Sequence, residues 1–238
     1  MIEADLVKKH GKKLLGMAEH GHHAPTWRER IPEILLEIGI IVFAITLSIW
    51  LHSWHEHSLE RATARKFLTG LRADLVQDLR ELRSDSGSFV TQRQGFRYYR
   101  TLTPRTLRPD SLLFYRWTLR NSTGLVPNSS RFEGLKSSGK LDVIENEELL
   151  TNILDHYQEQ VPALVNSTTL YNDYKQAHLS SYLDQHLQPD EGNISAVMAT
   201  LPMQNYLSRD GAINNILEKY HQVMNHSRQL IRQIDAQR

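Results

Sequence analysis

Residues 34–54 read ILLEIGIIVFAITLSIWLHSW and form the most apolar stretch of the chain. No charged residue occurs from Ile38 to Trp54, a run of 17 residues. That length is the lower limit of the roughly 17–25 residues that cross a hydrocarbon core. The run is apolar on all sides rather than along one stripe, which is typical of a membrane span and not of a surface helix. We therefore predict one transmembrane helix over residues 31–54.

Both ends of this stretch carry residues that suit the border of a bilayer. Pro32 falls in the first helical turn, where its missing N–H costs no hydrogen bond. Glu37 lies close enough to that end to reach the headgroups, and two tryptophans lie one helical turn apart at the other end, as in an aromatic belt. The side chains expected to contact lipid are Ile34, Ile38, Ile41, Phe43, Leu47, Trp50 and Trp54.

Two other interpretations of the stretch are less favoured. A buried core helix of a soluble protein also has this length, but the rest of the chain is polar and no other segment matches it. A cleaved signal peptide is disfavoured because the apolar run starts late, lacks an A-x-A-like exit and continues into a charged helix. The transmembrane interpretation is therefore kept.

The segment before the span, residues 1–25, is predicted to be an amphipathic and basic lead-in. Its apolar residues fall on one broad face and its lysines on the other; they are Ile2, Leu6, Val7, Leu14 and Met17, and Lys8, Lys9, Lys12 and Lys13. A basic amphipathic helix beside a span is a candidate for lying on an anionic membrane surface. The alternative is a solvated or partner-packed helix, since Gly11 and Gly16 weaken the helix.

Histidines flank the predicted span on both sides. His20, His22 and His23 fall in a short break, which we interpret as a linker because no carboxylate or cysteine lies beside them at ligand spacing. His52 and His55 share a helical face at i and i+3, and they are the candidate metal ligands after the span. Ordinary interfacial polar residues are the favoured interpretation of this pair, and no metal or cofactor is predicted.

Composition excludes several classes of function. The chain has 238 residues, a net charge of +1 and no cysteine. The length indicates one or two domains, and the balanced charge argues against a nucleic-acid partner. Without cysteine there is no disulfide, thiolate metal site or cysteine nucleophile. No G-x-S-x-G, H-E-x-x-H or P-loop pattern occurs, so we predict that the protein is not an enzyme.

Residues 55–238 are predicted to form an extramembrane helical domain, so the fold class is all-α. Leucines recur every three or four residues from Leu68 to Leu82, which predicts a long helix over 55–85 that continues from the span and ends at Ser84–Gly87. A separate helix is expected from Phe89, a turn of helix is expected to end at Gly139 with positive φ, and another helix follows a cap at Asn146. Pro162 starts or kinks the next helix, whose inner face includes Tyr171 and Leu179. No long period-two pattern occurs, so almost no strand is expected.

The clearest amphipathic pattern lies in the last helix, predicted over 209–236. Its apolar residues keep a nearly heptad stripe: Ile213, Ile216, Leu217, Tyr220, Val223, Met224, Leu230, Ile231 and Ile234. This stripe either packs antiparallel on Leu68–Leu82 or associates with another chain. We designate it the candidate partner or oligomer surface.

Two stretches resemble a bacterial single-span membrane family described only as domain of unknown function 6090. The family's first block, a helix of the type "yL..L..DL..D" after the span, is matched by Phe67, Leu68, Leu71, Asp74, Leu75 and Asp78. Its second block, of the type "s.y..Lk.SG.l.lI.n..L", is matched by Phe132, Leu135, Lys136, Ser138, Gly139, Leu141, Ile144, Asn146 and Leu149. The chain departs in its longer lead-in and in His52 and Ser53, where the family shows asparagine. The resemblance implies this architecture and no established activity.

Charge around the span predicts its orientation. Six Lys/Arg occur in the first 33 residues and four in the 20 residues after Trp54, which favours a cytoplasmic amino terminus and a periplasmic carboxy-terminal domain in a bacterial inner membrane. Our leading hypothesis is a membrane-anchored scaffold or accessory subunit that binds a protein partner, as a homo-oligomer or in a larger membrane complex. The alternative is a single-span sensor whose helical domain binds a small ligand or metal.

Overall fold

The computed structural model describes residues 27–237, with side chains from residue 35 onwards. The predicted all-α class is confirmed, since the described residues contain helices and no strand. The chain divides into two units, residues 1–58 and 59–238. The predicted lead-in, residues 1–25, and its histidines lie outside the described residues.

Nine α-helices, two short 3₁₀ helices and two π-helical turns are present in residues 27–237. The α-helices are α1 Trp27–Arg100, α2 Pro109–Tyr115, α3 Ser130–Ser137, α4 Glu147–Asp155, α5 Val161–Tyr174, α6 Ser181–His186, α7 Ile194–Met198, α8 Leu201–Leu207 and α9 Asp210–Ala236. The 3₁₀ helices are Arg116–Leu119 and Leu141–Val143, and the π-helical turns are His156–Gln160 and Lys175–Ser180.

In the first unit, the described part of α1 is an apolar helix that no other described residue covers. Its most apolar 18-residue window has a mean hydropathy of 2.1 and none of that window is buried. The large apolar side chains from Leu35 to Trp54 are between 41% and 68% exposed. By length and composition this helix is able to cross a membrane. Among the described residues this helix therefore lacks the burial that a core helix of a soluble protein has.

Helix α1 continues past the predicted end at Ser84–Gly87 and stops at Arg100, so the predicted helix over 55–85 and the separate helix from Phe89 are one. Serine and glycine are poor helix formers, but tertiary contacts hold this stretch in place. The Asp85 carboxylate accepts a hydrogen bond from Thr123 at 2.8 Å. Phe89 and Phe96 are buried in the core. Packing of the inner face therefore overrides the weak local propensity.

The second unit is built around three long helical segments. One is the part of α1 from residue 59; the second is the composite helix, residues 147–186, in which α4, α5 and α6 are joined by the two π-helical turns; the third is α9. Helix α9 runs antiparallel to α1, as contacts of Arg72 with Asp235, Asp85 with Tyr220 and Arg97 with Asp210 show. It also runs antiparallel to the composite helix, through Glu148 with Gln233 and Asp155 with His226.

The composite helix passes through Pro162 without a break, where the sequence predicted a start or a kink. Val161 donates its N–H to the carbonyl of His156, a bond of the wider π type. Pro162 follows directly as the second residue of α5. A proline lacks the N–H for a helical hydrogen bond and its ring crowds the preceding turn. The π-helical turn just before Pro162 is wider than an α-helical turn, so the helix continues through the proline.

The chain from residue 101 to 146, here called the crossover, runs back along α1. Much of it is irregular, so its backbone N–H groups need partners outside a helix. Carboxylates of α1 accept from two of these N–H groups: Asp78 accepts from that of Asn128, and also from its side-chain amide, and Glu81 accepts from that of Val126 at 2.8 Å. Burial raises the pKa of Asp78 more than its hydrogen bonds from Asn128 lower it. Burial likewise raises the pKa of Asp85 more than its hydrogen bonds from Thr123 and Tyr220 lower it.

The residues of the second resembling block end this crossover. Gly139 has a φ of 69°, as predicted for the residue that ends a helix. Asn146 caps α4 by accepting the N–H of Leu149 at 2.9 Å, also as predicted. Ile144 is buried, whereas Leu135 and Leu141 are partly buried against the same cluster. The block therefore has a local structural role.

The terminal stripe is buried inside its own chain, which corrects its designation as a partner or oligomer surface. Eight of its residues are core residues, namely Ile213, Ile216, Leu217, Tyr220, Val223, Met224, Leu230 and Ile234, and Ile231 is partly buried. The carboxy-terminal end of the stripe, Leu230 and Ile234, packs in a cluster with Phe67, Leu68 and Leu71 of α1. Of the two predicted alternatives, antiparallel packing on α1 is therefore the one observed. The apolar face of this 27-residue helix packs against the apolar faces of the other helices of the same chain.

Candidate functional site

A cavity of about 320 Å³ opens between α1, the composite helix, α8 and α9. Its size lies at the lower end of the roughly 300–1,000 Å³ that is usual for small-molecule sites. The lining is mainly apolar and aromatic, with Phe96, Tyr171, Tyr174, Leu179, Tyr206 and Ile216. The charged side chains that line it are Lys175, Arg209 and Lys219, and no carboxylate of the described residues does so.

Lys175 is the most unusual residue of this cavity. It is 3% exposed and occupies the first position of the second π-helical turn. Its Nζ donates to the carbonyl oxygens of Thr118 at 2.7 Å and Asn121 at 2.6 Å, in the crossover. It also lies 6.0 Å from the centre of the Phe96 ring. Burial lowers the pKa of Lys175 to about 7, since no carboxylate compensates for the lost hydration.

The other two cations of the cavity also lack ion pairs within the described residues. The Cζ of Arg209, in the connection before α9, lies 4.3 Å from the centre of the Tyr174 ring, a cation–π contact. Lys219 is partly buried on α9. The hydroxyl of Tyr171 is buried without a hydrogen-bond partner among these residues, and burial, with a smaller effect from Asp210, raises its pKa. Asp210 itself pairs with Arg97 at 3.3 Å.

Two other grooves in this unit differ in their charge balance. In one, Arg116 pairs with Glu191 at 3.1 Å and Arg120 pairs with Asp184. In the other, Arg61 pairs with Glu145 at 3.1 Å. Each of these two grooves therefore holds at least one arginine–carboxylate pair that joins neighbouring elements of the fold. The cavity at Lys175 holds no such pair among the described residues.

A second polar cluster lies at the first π-helical turn. His156 is 1% exposed, and its ring centre lies 5.5 Å from that of His226. His226 Nδ1 lies 3.2 Å from the Asp155 carboxylate. Burial, with a smaller effect from His226, lowers the pKa of His156 to about 3. The ring is therefore neutral at physiological pH, and its Nδ1 has no hydrogen-bond partner among the described residues.

The predicted span residues and the candidate metal ligands lie on the exposed part of α1. Ile38, Ile41, Phe43, Leu47, Trp50 and Trp54 are exposed, and Ile34 lies outside the described side chains. His52 Nε2 lies 4.0 Å from the Glu56 carboxylate on the helix surface. In the described part of the chain, no group of three or more His, Asp or Glu is placed to hold a metal ion. His52 and His55 therefore gain no further ligand.

Sequence reasoning missed the residues of the cavity, although one signal was present. Lys175 lies four residues after Tyr171 and four before Leu179, two residues assigned to the inner face of their helix. A lysine in the middle of an apolar stripe is a buried lysine, or one that reaches past the stripe to solvent. Arg209 and Lys219 carry no such signal, because their arrangement around the cavity depends on how α9 packs.

No protein-family model matches this chain, and neither a curated protein nor a solved structure matches it.

Proposed function

We propose that this chain is a single-pass membrane protein whose helical domain binds a small molecule in the cavity at Lys175. One observation carries the proposal: a buried lysine without a carboxylate partner lines an apolar cavity of ligand size. Burying an ionisable group without a partner costs free energy, and such groups concentrate at functional sites. The sensor hypothesis is thereby preferred to the scaffold hypothesis, and the proposed action is binding rather than catalysis.

The proposed setting is a bacterial inner membrane, with residues 31–54 spanning it, the amino terminus in the cytoplasm and the helical domain in the periplasm. The exposed apolar helix and the Lys/Arg bias support this setting. Because the chain has no cysteine, single cysteines introduced by Ala4→Cys and Ser122→Cys report each side. In intact cells made permeable only at the outer membrane, a membrane-impermeant maleimide is expected to label the second and not the first. Labelling of the first alone reverses the orientation.

Ligand binding is tested on the full chain in detergent by thermal shift against a panel of small molecules. A ligand that binds the folded state raises the melting temperature. Ala212 lines the cavity and is exposed, so Ala212→Trp is expected to narrow the opening and abolish the shift without removing a core side chain. A panel that never shifts the melting temperature refutes the proposal, and so does a shift that survives Ala212→Trp undiminished.

A second candidate function, binding of a protein partner, is supported by an exposed apolar patch. Leu113 and Phe114 of α2 are 70% and 59% exposed, and Trp117 follows them in the 3₁₀ helix. Exposed apolar clusters mark interaction sites more often than single exposed residues do. Native mass measurement of the full chain and of the Phe114→Ser variant tests this function, since a partner or second copy held by the patch is lost in the variant. We also propose that the chain belongs to the family described as domain of unknown function 6090, because of the two matching stretches in its sequence.

A further inference from the structure

We propose that the ligand of the Lys175 cavity is a small amphiphilic monoanion, with an apolar body and one carboxylate or similarly charged group. This inference rests on the proposed function and adds the charge of the ligand to it. The occupant is a single small molecule, because a cavity of about 320 Å³ is much too small for a two-chain lipid. The charge of the ligand follows from the residues that line the cavity.

The first step is the charge imbalance of the lining. Three cationic side chains, Lys175, Arg209 and Lys219, face one cavity without a lining carboxylate among the described residues. Several arginines elsewhere in the same unit, such as Arg72 at 2.7 Å from Asp235, have a carboxylate partner, although others, such as Arg93 with Asn214, bind a neutral group. Asp210, whose charge acts on Tyr171, is paired with Arg97. An anion in the cavity would supply the missing partner, whereas a cation would add to the repulsion.

The second step is the set of donors that remain unused. An ammonium carries three N–H donors, and the Nζ of Lys175 uses two of them on carbonyl oxygens of the crossover. The Cζ of the Arg209 guanidinium lies 4.3 Å from the centre of the Tyr174 ring, and no carboxylate of the described residues lines the cavity to accept from its N–H groups. The buried hydroxyl of Tyr171 has no hydrogen-bond partner among the described residues. These groups are donors, as an anionic ligand requires.

The third step is the apolar remainder of the lining. Phe96, Leu179 and Ile216 are core residues that reach the cavity from three elements, and Leu170 at the opening is 61% exposed. Aromatic rings of Tyr174 and Tyr206 lie 6.2 Å apart between their centres. Such walls bind a flat or extended apolar body, while the charged groups orient it. An inorganic anion would leave these walls unused.

The test compares probes that share a body and differ in charge. Naphthalene-1-carboxylate, its primary amide and naphthalen-1-ylmethylammonium carry one negative, no and one positive charge, and octanoate, octanamide and octylammonium repeat the series with a chain. Binding to the full chain in a nonionic detergent is measured by titration calorimetry. We expect at least one of the two anions to bind about tenfold or more tightly than its amide, since hydrogen bonds to charged groups are the stronger ones, and no ammonium probe to bind.

Variants separate the charge from the packing. Arg209→Gln and Lys219→Gln are expected to reduce the preference for the anion over the amide severalfold, and both positions are exposed enough to leave the core intact. Arg232→Gln, on the exposed face of α9 away from the cavity, is the matched control and is expected to leave the preference unchanged. Equal binding of anion, amide and ammonium overturns the inference and leaves the proposed function standing. Absence of binding by all six probes overturns the inference. Only the failure of the broader panel in the thermal-shift experiment overturns the proposed function.

Discussion

Replacing Lys175 by methionine is expected to change how the stability of the protein depends on pH. Methionine has a similar length and no charge, so the substitution removes the buried ammonium and keeps most of the packing. The pKa of Lys175 is about 7 in the folded chain and 10.5 in the unfolded reference. Between these values the unfolded chain binds more protons than the folded chain, so the free energy of unfolding of the wild type rises with pH. Below pH 7 the cost of the buried charge is fully present.

The expected size of the effect follows from this interval. One pH unit corresponds to about 1.4 kcal/mol for a single proton, so the two units from pH 7 to pH 9 correspond to at most about 3 kcal/mol. For a domain of this size 1 kcal/mol moves the melting temperature by roughly 2–4 °C. The wild type is therefore expected to gain up to about 6–12 °C relative to Lys175→Met between pH 7 and pH 9.

The assay is thermal unfolding of the full chain in detergent, followed by near-ultraviolet circular dichroism at several pH values. The difference between wild type and Lys175→Met is the informative quantity, because other titrating groups contribute equally to both. The loss of the hydrogen bonds to Thr118 and Asn121 lowers the free energy of unfolding of the variant by an amount that is constant with pH. Leu179→Met, a neutral change in the same cavity, controls for altered packing. Parallel curves for wild type and Lys175→Met would refute the reasoning.

Three further predictions concern other parts of the chain. The free energy of unfolding of the wild type should fall as the pH drops from 6.5 towards 3, by up to about 1.4 kcal/mol per pH unit. The reason is that His156 takes up its proton at a higher pH in the unfolded chain than in the folded chain. The His156→Gln variant should lose less stability in the same acid titration, and equal losses would contradict this. Gly87→Ala should stabilise the domain by about 0.5–1 kcal/mol, because Gly87 lies in a helix with open space around it. Gly95→Ala should instead destabilise the domain by about 1–3 kcal/mol, because an added methyl would overlap the Thr118 side chain. Chemical denaturation of the two variants tests these opposite signs. Ile45→Arg should cost about 3 kcal/mol of membrane insertion, seen as loss of the chain from the alkali-resistant membrane fraction, and an unchanged fraction would argue against a span there.

The helical class and the candidate span were accessible from the sequence because their signals are local. An apolar run such as Ile38–Trp54 has its hydropathy whatever the rest of the chain does, and the structure leaves it uncovered. The cap at Asn146 and the positive φ of Gly139 follow from short-range backbone chemistry. Each of these features needs only a few neighbouring residues.

The end of α1 shows where local signals fail. The run from Ser84 to Gly87 has the composition of a helix stop, yet the helix continues to Arg100. Contacts of Asp85 with Thr123 and burial of Phe89 come from residues far along the chain. The unfavourable propensity, up to about 0.7 kcal/mol for each polar residue and about 1 kcal/mol for Gly87, is smaller than the gain from burying one large apolar side chain, about 1.5–3 kcal/mol.

The sequence by itself determined that the protein is helical, that one segment has the length and apolar character of a membrane span, and that α9 carries an apolar face. Only the tertiary structure decided what that face meets, because the stripe from Ile213 to Ile234 is equally able to pack within the chain or against another one. The cavity was decided at the same level. Lys175, Arg209 and Lys219 come from different elements, and their shared, uncompensated charge exists only once the helices have packed around them.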